Sequence, residues 1–187
     1  EYNADGSFKS LQTTQTIRSD APATLTVHHD NHSGSGSNVG PQVYAGKIVG
    51  QVSLVKTGYN YGDVQDLTIA SEIASTGSVE VSWGLLSFTN AFTYTLSGKS
   101  YSLPGGRWPN CTRATAGRQV AKGGDVHYGT LELLNSKALG KKTEVYVAKG
   151  GAKVRLGANV NQRVAALYFE DDDGNWVKQQ SGSWGSS

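Results

Sequence analysis

The sequence predicts an all-β fold, an antiparallel β-sandwich of Ig-like or jelly-roll type with about ten short strands and little or no helix. Three observations carry that expectation. Apolar and polar residues alternate strictly in several short runs, the period of a half-buried strand. The chain holds 24 glycines in 187 residues, nearly double the usual ~7%. Turn signals interrupt the alternating runs every 8 to 15 residues or so, a spacing suited to many short strands.

Taken in chain order, the first strand is expected over Thr24 to His28. In the run Lys47 to Leu54, Ile48, Val52 and Leu54 fall on one face, as period-two side chains do. Val79, Val81 and Trp83 share a face, with Glu80 and Ser82 opposite. Phe92, Tyr94 and Leu96 alternate with threonine and serine, and Tyr101 and Leu103 resume after Ser97-Gly98-Lys99-Ser100. That is a hairpin pattern, because glycine supplies the positive φ of a tight turn. Further strands are expected at Gly129 to Leu134, Glu144 to Ala148, Lys153 to Ala158 and Arg163 to Glu170, then at Trp176 to Gln179 after a turn. Asp66 to Ile73 and Asn135 to Leu139 have some helical character, but no apolar stripe long enough to pack a helix.

The chain reads as one domain over 1–187, and the place for any internal boundary is the 104–118 loop, rich in Pro, Gly and Trp. His32 to Pro41 is a second long loop. Val120-Ala121-Lys122-Gly123-Gly124 recurs as Val147-Ala148-Lys149-Gly150-Gly151, read as two stacked hairpins with Gly-Gly turns. Two copies are too few for a solenoid, whose units bury their faces only when several stack.

Cys111 is the single cysteine, so no intramolecular disulfide staples the fold. The chain contains no Met, even at position 1, which reads as a processed or engineered start, most simply one left by removal of an export signal. No apolar run reaches the ~18 residues of a membrane span. The expected location is secreted or at the cell surface.

The net charge of +2 conceals a segregation: residues 107–163 carry eleven Lys/Arg against three Asp/Glu, whereas the flanking segments are acidic. Arg107, Trp108, Arg113, Arg118, Lys122, Tyr128, Lys153 and Arg155 are therefore the candidate ligand-binding residues, with Lys141, Lys142 and Lys149 in the same stretch. Cations neutralise an anionic ligand while Trp or Tyr stacks on a sugar or base. The alternative is that these are solvated charges protecting sheet edges.

Other signals are weaker. His28 and His32 are the candidate metal ligands, with Asp30, Cys111 or His127 to complete a zinc site, but their spacing on a strand end does not bring them to one face. No cofactor is expected. Asp171-Asp172-Asp173-Gly174-Asn175 has Trp176 where a calcium loop needs glycine and reads as a hairpin turn. Gly98-Lys99-Ser100 has Thr93 where a phosphate loop needs glycine. Asn31-His32-Ser33 and Asn110-Cys111-Thr112 are sequons of the kind expected by chance. No nucleophile elbow or metalloprotease helix occurs.

The leading functional expectation is a non-enzymatic, exported recognition or assembly module: an adhesin, a fimbrial or fibre subunit, or a carbohydrate-binding domain. Its expected partners are a glycan or another anionic surface ligand, with self-assembly through strand edges. The alternatives are a virion or shell protein whose basic strip faces nucleic acid, and a secreted hydrolase with catalytic residues scattered along the chain.

Overall fold

The structure is a computed structural model and describes residues 15–29, 42–58, 66–96 and 98–179. His32 and the whole 32–41 loop lie outside these. The chain is all-β, with no helix among the described residues. Strands fall largely in alternation into two facing sheets, with one separate hairpin. Sheet A receives β1 (Thr16–His29), sheet B β2 (Gln42–Tyr44), sheet A β3 (Lys47–Gly58), sheet B β4 (Leu67–Ile69). A divided sheet A strand follows as β5 (Ala74–Ser75) and β6 (Val79–Val81), then β7 (Gly84–Phe88) in sheet B. A separate hairpin, β8 (Phe92–Leu96) and β9 (Lys99–Leu103), precedes β10 (Arg113–Ala116) in sheet A. Next come β11 (Arg118–Val120) and β12 (Val126–Leu133) in sheet B, β13 (Glu144–Val147) in A and β14 (Lys153–Leu156) in B. Sheet A ends with β15 (Ala166–Glu170) and β16 (Trp176–Lys178).

The pairing corrects the expected antiparallel connectivity. From β1 through β15 every neighbouring pair in sheet A is parallel, as are the pairs β2–β4, β4–β7, β7–β12 and β12–β14 in sheet B. Antiparallel pairing is confined to β8–β9, β11–β12 and β15–β16, so the sheets are mixed. Alternation tells which face a residue occupies, but strand direction depends on the connection. Here the strand of the opposite sheet supplies the crossover, so the chain coils, laying one strand on each sheet per turn.

Registration across the coil aligns like with like. Leu25, Leu54, Val79, Ala114, Val145 and Leu167 form one inward column of sheet A. Leu67, Leu86, Leu131 and Val154 form its counterpart in sheet B, beside Tyr44, Ile69, Phe88, Leu133 and Leu156. These columns meet in one apolar cluster. A one-residue slip would turn every one of these side chains to solvent, so burial fixes the register.

The segment between β9 and β10 is structural. Trp108 is fully buried within the main cluster, and its indole N–H donates to the carbonyl of Ser75 at 2.7 Å. The two helical-looking windows take other forms: Leu67–Ile69 is β4, and Asn135 to Leu139 forms turns. Their apolar residues are held by the sheet, which outweighs local propensity. Strands number sixteen among the described residues rather than about ten, because the runs break at corners.

The repeated pentapeptide has two different fates. Val120 to Gly124 does turn a hairpin between β11 and β12, whereas Val147 to Gly151 is a corner between β13 and β14, in opposite sheets. The Phe92 to Leu103 hairpin forms as expected, with Gly98 at φ 75° in its turn. The Asp171 carboxylate accepts the backbone N–H groups of Asp173 and Asn175 at 3.0 and 2.8 Å, which closes the β15–β16 turn.

Candidate binding face

The inward residues are committed to packing, so recognition chemistry falls to the outward columns and the corners. On sheet A, Thr115, Tyr146, Tyr168 and Lys178 occupy one outward register, and Arg113 and Glu144 occupy the next. Parallel strands lie about 4.8 Å apart, so identical rings in register stack. The Tyr146 and Tyr168 rings do so, with centroids 4.5 Å apart and planes 6° apart. Trp176, from β16, meets Tyr146 edge-on at 5.2 Å and 88°. The guanidinium carbon of Arg113 lies 3.8 Å from the Tyr146 centroid and 5.9 Å from that of Trp176.

Hydrogen bonds fix this group. The Tyr146 and Tyr168 hydroxyls donate to the Glu144 carboxylate at 2.8 and 3.3 Å. The bond to Glu144, then burial, raises the Tyr146 pKa, so the phenol stays protonated and keeps donating. Arg113 Nε donates to Thr115 Oγ1 at 3.2 Å. Although Arg113 and Glu144 are register partners, no ion pair joins Arg113 to a carboxylate among the described residues. Trp176 is 37% exposed.

The adjoining corner is held by charge pairs. Arg118 grips Glu170 with both terminal nitrogens, one at 2.7 Å, and the Lys149 backbone N–H donates to the same carboxylate at 3.0 Å. Arg118 first, then that N–H, lowers the Glu170 pKa. Lys149 Nζ also pairs with Asp172. Tyr128 lies over Gly150 and Gly151: a β-carbon on Gly150 would collide with its hydroxyl, and one on Gly151 would stand 2.8 Å from a ring carbon.

The sequence candidates therefore disperse. Arg113 is in the aromatic group. Arg118 and Tyr128 are at the corner beside it, and Lys122 is in the exposed β11–β12 turn. Lys153 and Arg155 project from sheet B, the opposite layer, where Arg155 lies 3.8 Å from Glu132 and Ser87 donates to Glu132 at 2.7 Å. Arg107 pairs with Glu72 at 2.8 Å, and Trp108 is in the core. His28 is the last residue but one of β1, and the described residues contain no cluster of three or more metal-ligating acids, histidines or cysteines. Reading the basic stretch passed over Glu144, Tyr146, Tyr168 and Trp176. The alternation in Glu144-Val145-Tyr146-Val147 placed Glu144 and Tyr146 on one face, but only strand pairing brings Tyr168 and Trp176 to them.

One further polar group lies beneath a corner. Lys56 continues the inward line of Val52 and Leu54, and it is fully buried. Its Nζ donates to the carbonyls of Trp83 and Thr57 at 3.2 and 3.3 Å. Burial, opposed by the charge of Asp66, lowers its pKa to about 8. Above it the Trp83 and His127 rings stack at 3.5 Å and 6°.

Compared with known proteins, the chain matches no family model, no curated sequence and no solved structure, so its functional reading rests on this geometry.

Proposed function

We propose that the chain is a non-enzymatic recognition module of a secreted or cell-surface protein, of the adhesin, fibre-subunit or carbohydrate-binding kind, and that it holds a glycan against the outer face of sheet A. The two layers serve it as a stiff scaffold, the part a sandwich was expected to play. The observation that carries this reading is Trp176: an exposed indole braced by Tyr146, beside Tyr168, Arg113 and Glu144. Aromatic rings offer a large apolar surface at low entropic cost, and stacking on them suits sugar rings edged by hydroxyls.

The charge pairing favours this over a polyanion strip. Arg107, Arg118, Lys149 and Arg155 each lie beside a carboxylate, and a cation already neutralised releases few counterions on meeting phosphate. Glu144 receives two phenolic hydrogen bonds, a positioning arrangement rather than the acid/base couple of glycoside cleavage.

The test is a glycan array probed with purified protein and with Trp176→Ala. Binding by the parent, lost in a variant that melts at the same temperature, supports the reading; indifference to the substitution removes this face from it.

A second reading, assembly, has its own observation. Val177 faces inward but is 46% exposed, and no described strand of sheet B follows β14 over it. Concentration-dependent mass in sedimentation, abolished by Val177→Glu, supports assembly, and a monomer at all concentrations excludes it.

A further inference from the structure

We infer that the ligand of this face is an acidic saccharide, its ring against Trp176 and its carboxylate on the guanidinium of Arg113; this inference rests on the glycan reading above. Two neighbouring facts lead to it. The guanidinium carbon of Arg113 lies 3.8 Å from the Tyr146 centroid, and among the described residues its hydrogen bond is from Nε to Thr115. Its register partner Glu144, the natural carboxylate for it, is turned to the hydroxyls of Tyr146 and Tyr168 instead. Among the described residues the terminal nitrogens have no carboxylate partner, and a guanidinium can bind a carboxylate through two parallel hydrogen bonds.

Arg113 differs from four other arginines. Arg18, Arg107, Arg118 and Arg155 all have a carboxylate within ion-pair distance. Arg113 instead lies next to an exposed aromatic ring, 5.9 Å from its centroid. A guanidinium beside a stacking surface fits a sugar bearing one carboxylate per ring. A nucleic acid would draw on a row of cations rather than one, and Arg107, Arg118 and Arg155 are each beside a carboxylate.

Uronic acids and their methyl esters make the comparison direct, since esterification removes the charge and keeps the ring. Oligoglucuronate and its fully methyl-esterified form are titrated, by calorimetry at low and moderate salt, into the parent protein, Arg113→Met, Arg113→Lys and Trp176→Ala. The parent is expected to bind the acid about tenfold or more tightly than the ester, and salt is expected to narrow that gap. Arg113→Met, whose unchanged melting temperature certifies the fold, should erase the preference and keep ester binding. Arg113→Lys, charged but without the fork, should fall between. Equal binding of acid and ester by the parent, or a preference that survives Arg113→Met, overturns the inference while leaving glycan recognition intact. Failure of both sugars to bind, or binding untouched by Trp176→Ala, overturns the inference and the recognition reading together. Tighter binding of single-stranded DNA with a steep salt dependence does the same in favour of a nucleic acid.

Discussion

Lys56 donates from Nζ to the backbone carbonyl oxygen of Trp83 at 3.2 Å, from within an inward column whose register neighbours are Val27 and Val81. The stem packs as an apolar side chain would, and the ammonium reaches the carbonyls at the corner. Burial outweighs the opposing charge of Asp66 and brings the lysine pKa from 10.5 to about 8.

This gives stability a defined alkaline dependence. Between about pH 8 and 10.5 the unfolded chain holds a proton on Lys56 that the folded chain has released, so stability rises with pH across that window. The gain is on the order of 3 kcal/mol at most. Lys56→Met, which keeps the stem and removes the charge, should be at least as stable as the parent at pH 7 and lack that rise. Urea melts of both proteins at pH 7, 8, 9 and 10 measure it; parallel curves would refute the buried-cation account.

The tryptophans 108 and 176 should separate cleanly. Trp108→Ala removes a fully buried ring and its hydrogen bond to Ser75, at a cost of about 3–5 kcal/mol. Trp176→Ala, at an exposed edge strand, should cost about 1 kcal/mol or less. Thermal melts of the two variants decide it.

Cys111 is buried, its thiol donates to the carbonyl of Arg113 at 3.2 Å, and burial pushes its pKa up to about 12. Thiolate is the reactive form. The native protein should therefore leave a thiol reagent unreacted at pH 8 and consume one equivalent after denaturation, as absorbance of the released leaving group will show.

Gly150 and Gly124 both have positive φ, 103° and 91°, but only Gly150 has the Tyr128 hydroxyl where its β-carbon would go. Gly124→Ala should cost about 1 kcal/mol for the backbone alone. Gly150→Ala should cost distinctly more, because the ring must also move. A Gly150→Ala melt no lower than that of Gly124→Ala would show that Tyr128 yields freely.

Tyr146 carries both the stack and the arginine. Tyr146→Phe keeps the rings and loses one bond to Glu144, so a change under about 1 kcal/mol is expected. Tyr146→Ala loses Arg113 and Tyr168 contacts together, about 1–3 kcal/mol. Denaturant melts of the pair give the difference.

How far the order of residues settles such a protein is seen by comparing elements. Ile48, Val52, Leu54, Val79, Val81 and Trp83 were legible as buried because alternation alone assigns a face, and each is buried. Lys56 obeys the same alternation, yet its charge hid its place, since only packing tells whether a lysine stem enters a core. The parallel coil was hidden for a different reason. Leu54, Val79, Ala114, Val145 and Leu167 share a column but stand at unequal intervals, because the β8–β9 and β11–β12 hairpins lengthen some turns, and unequal spacing erases a repeat.

The candidate face shows the same division. Segregated charge named Arg113 as one of eight candidates, and of these Arg107, Arg118 and Arg155 are drawn into pairs with acids far along the chain. The sequence by itself determined the β character, the Phe92 to Leu103 hairpin and the inward face of the apolar alternating runs, all of which depend on neighbours a few positions apart. Strand direction, the partners of each cation and the meeting of Tyr146 with Tyr168 and Trp176 were decided by the tertiary structure alone, because they depend on which strands lie side by side.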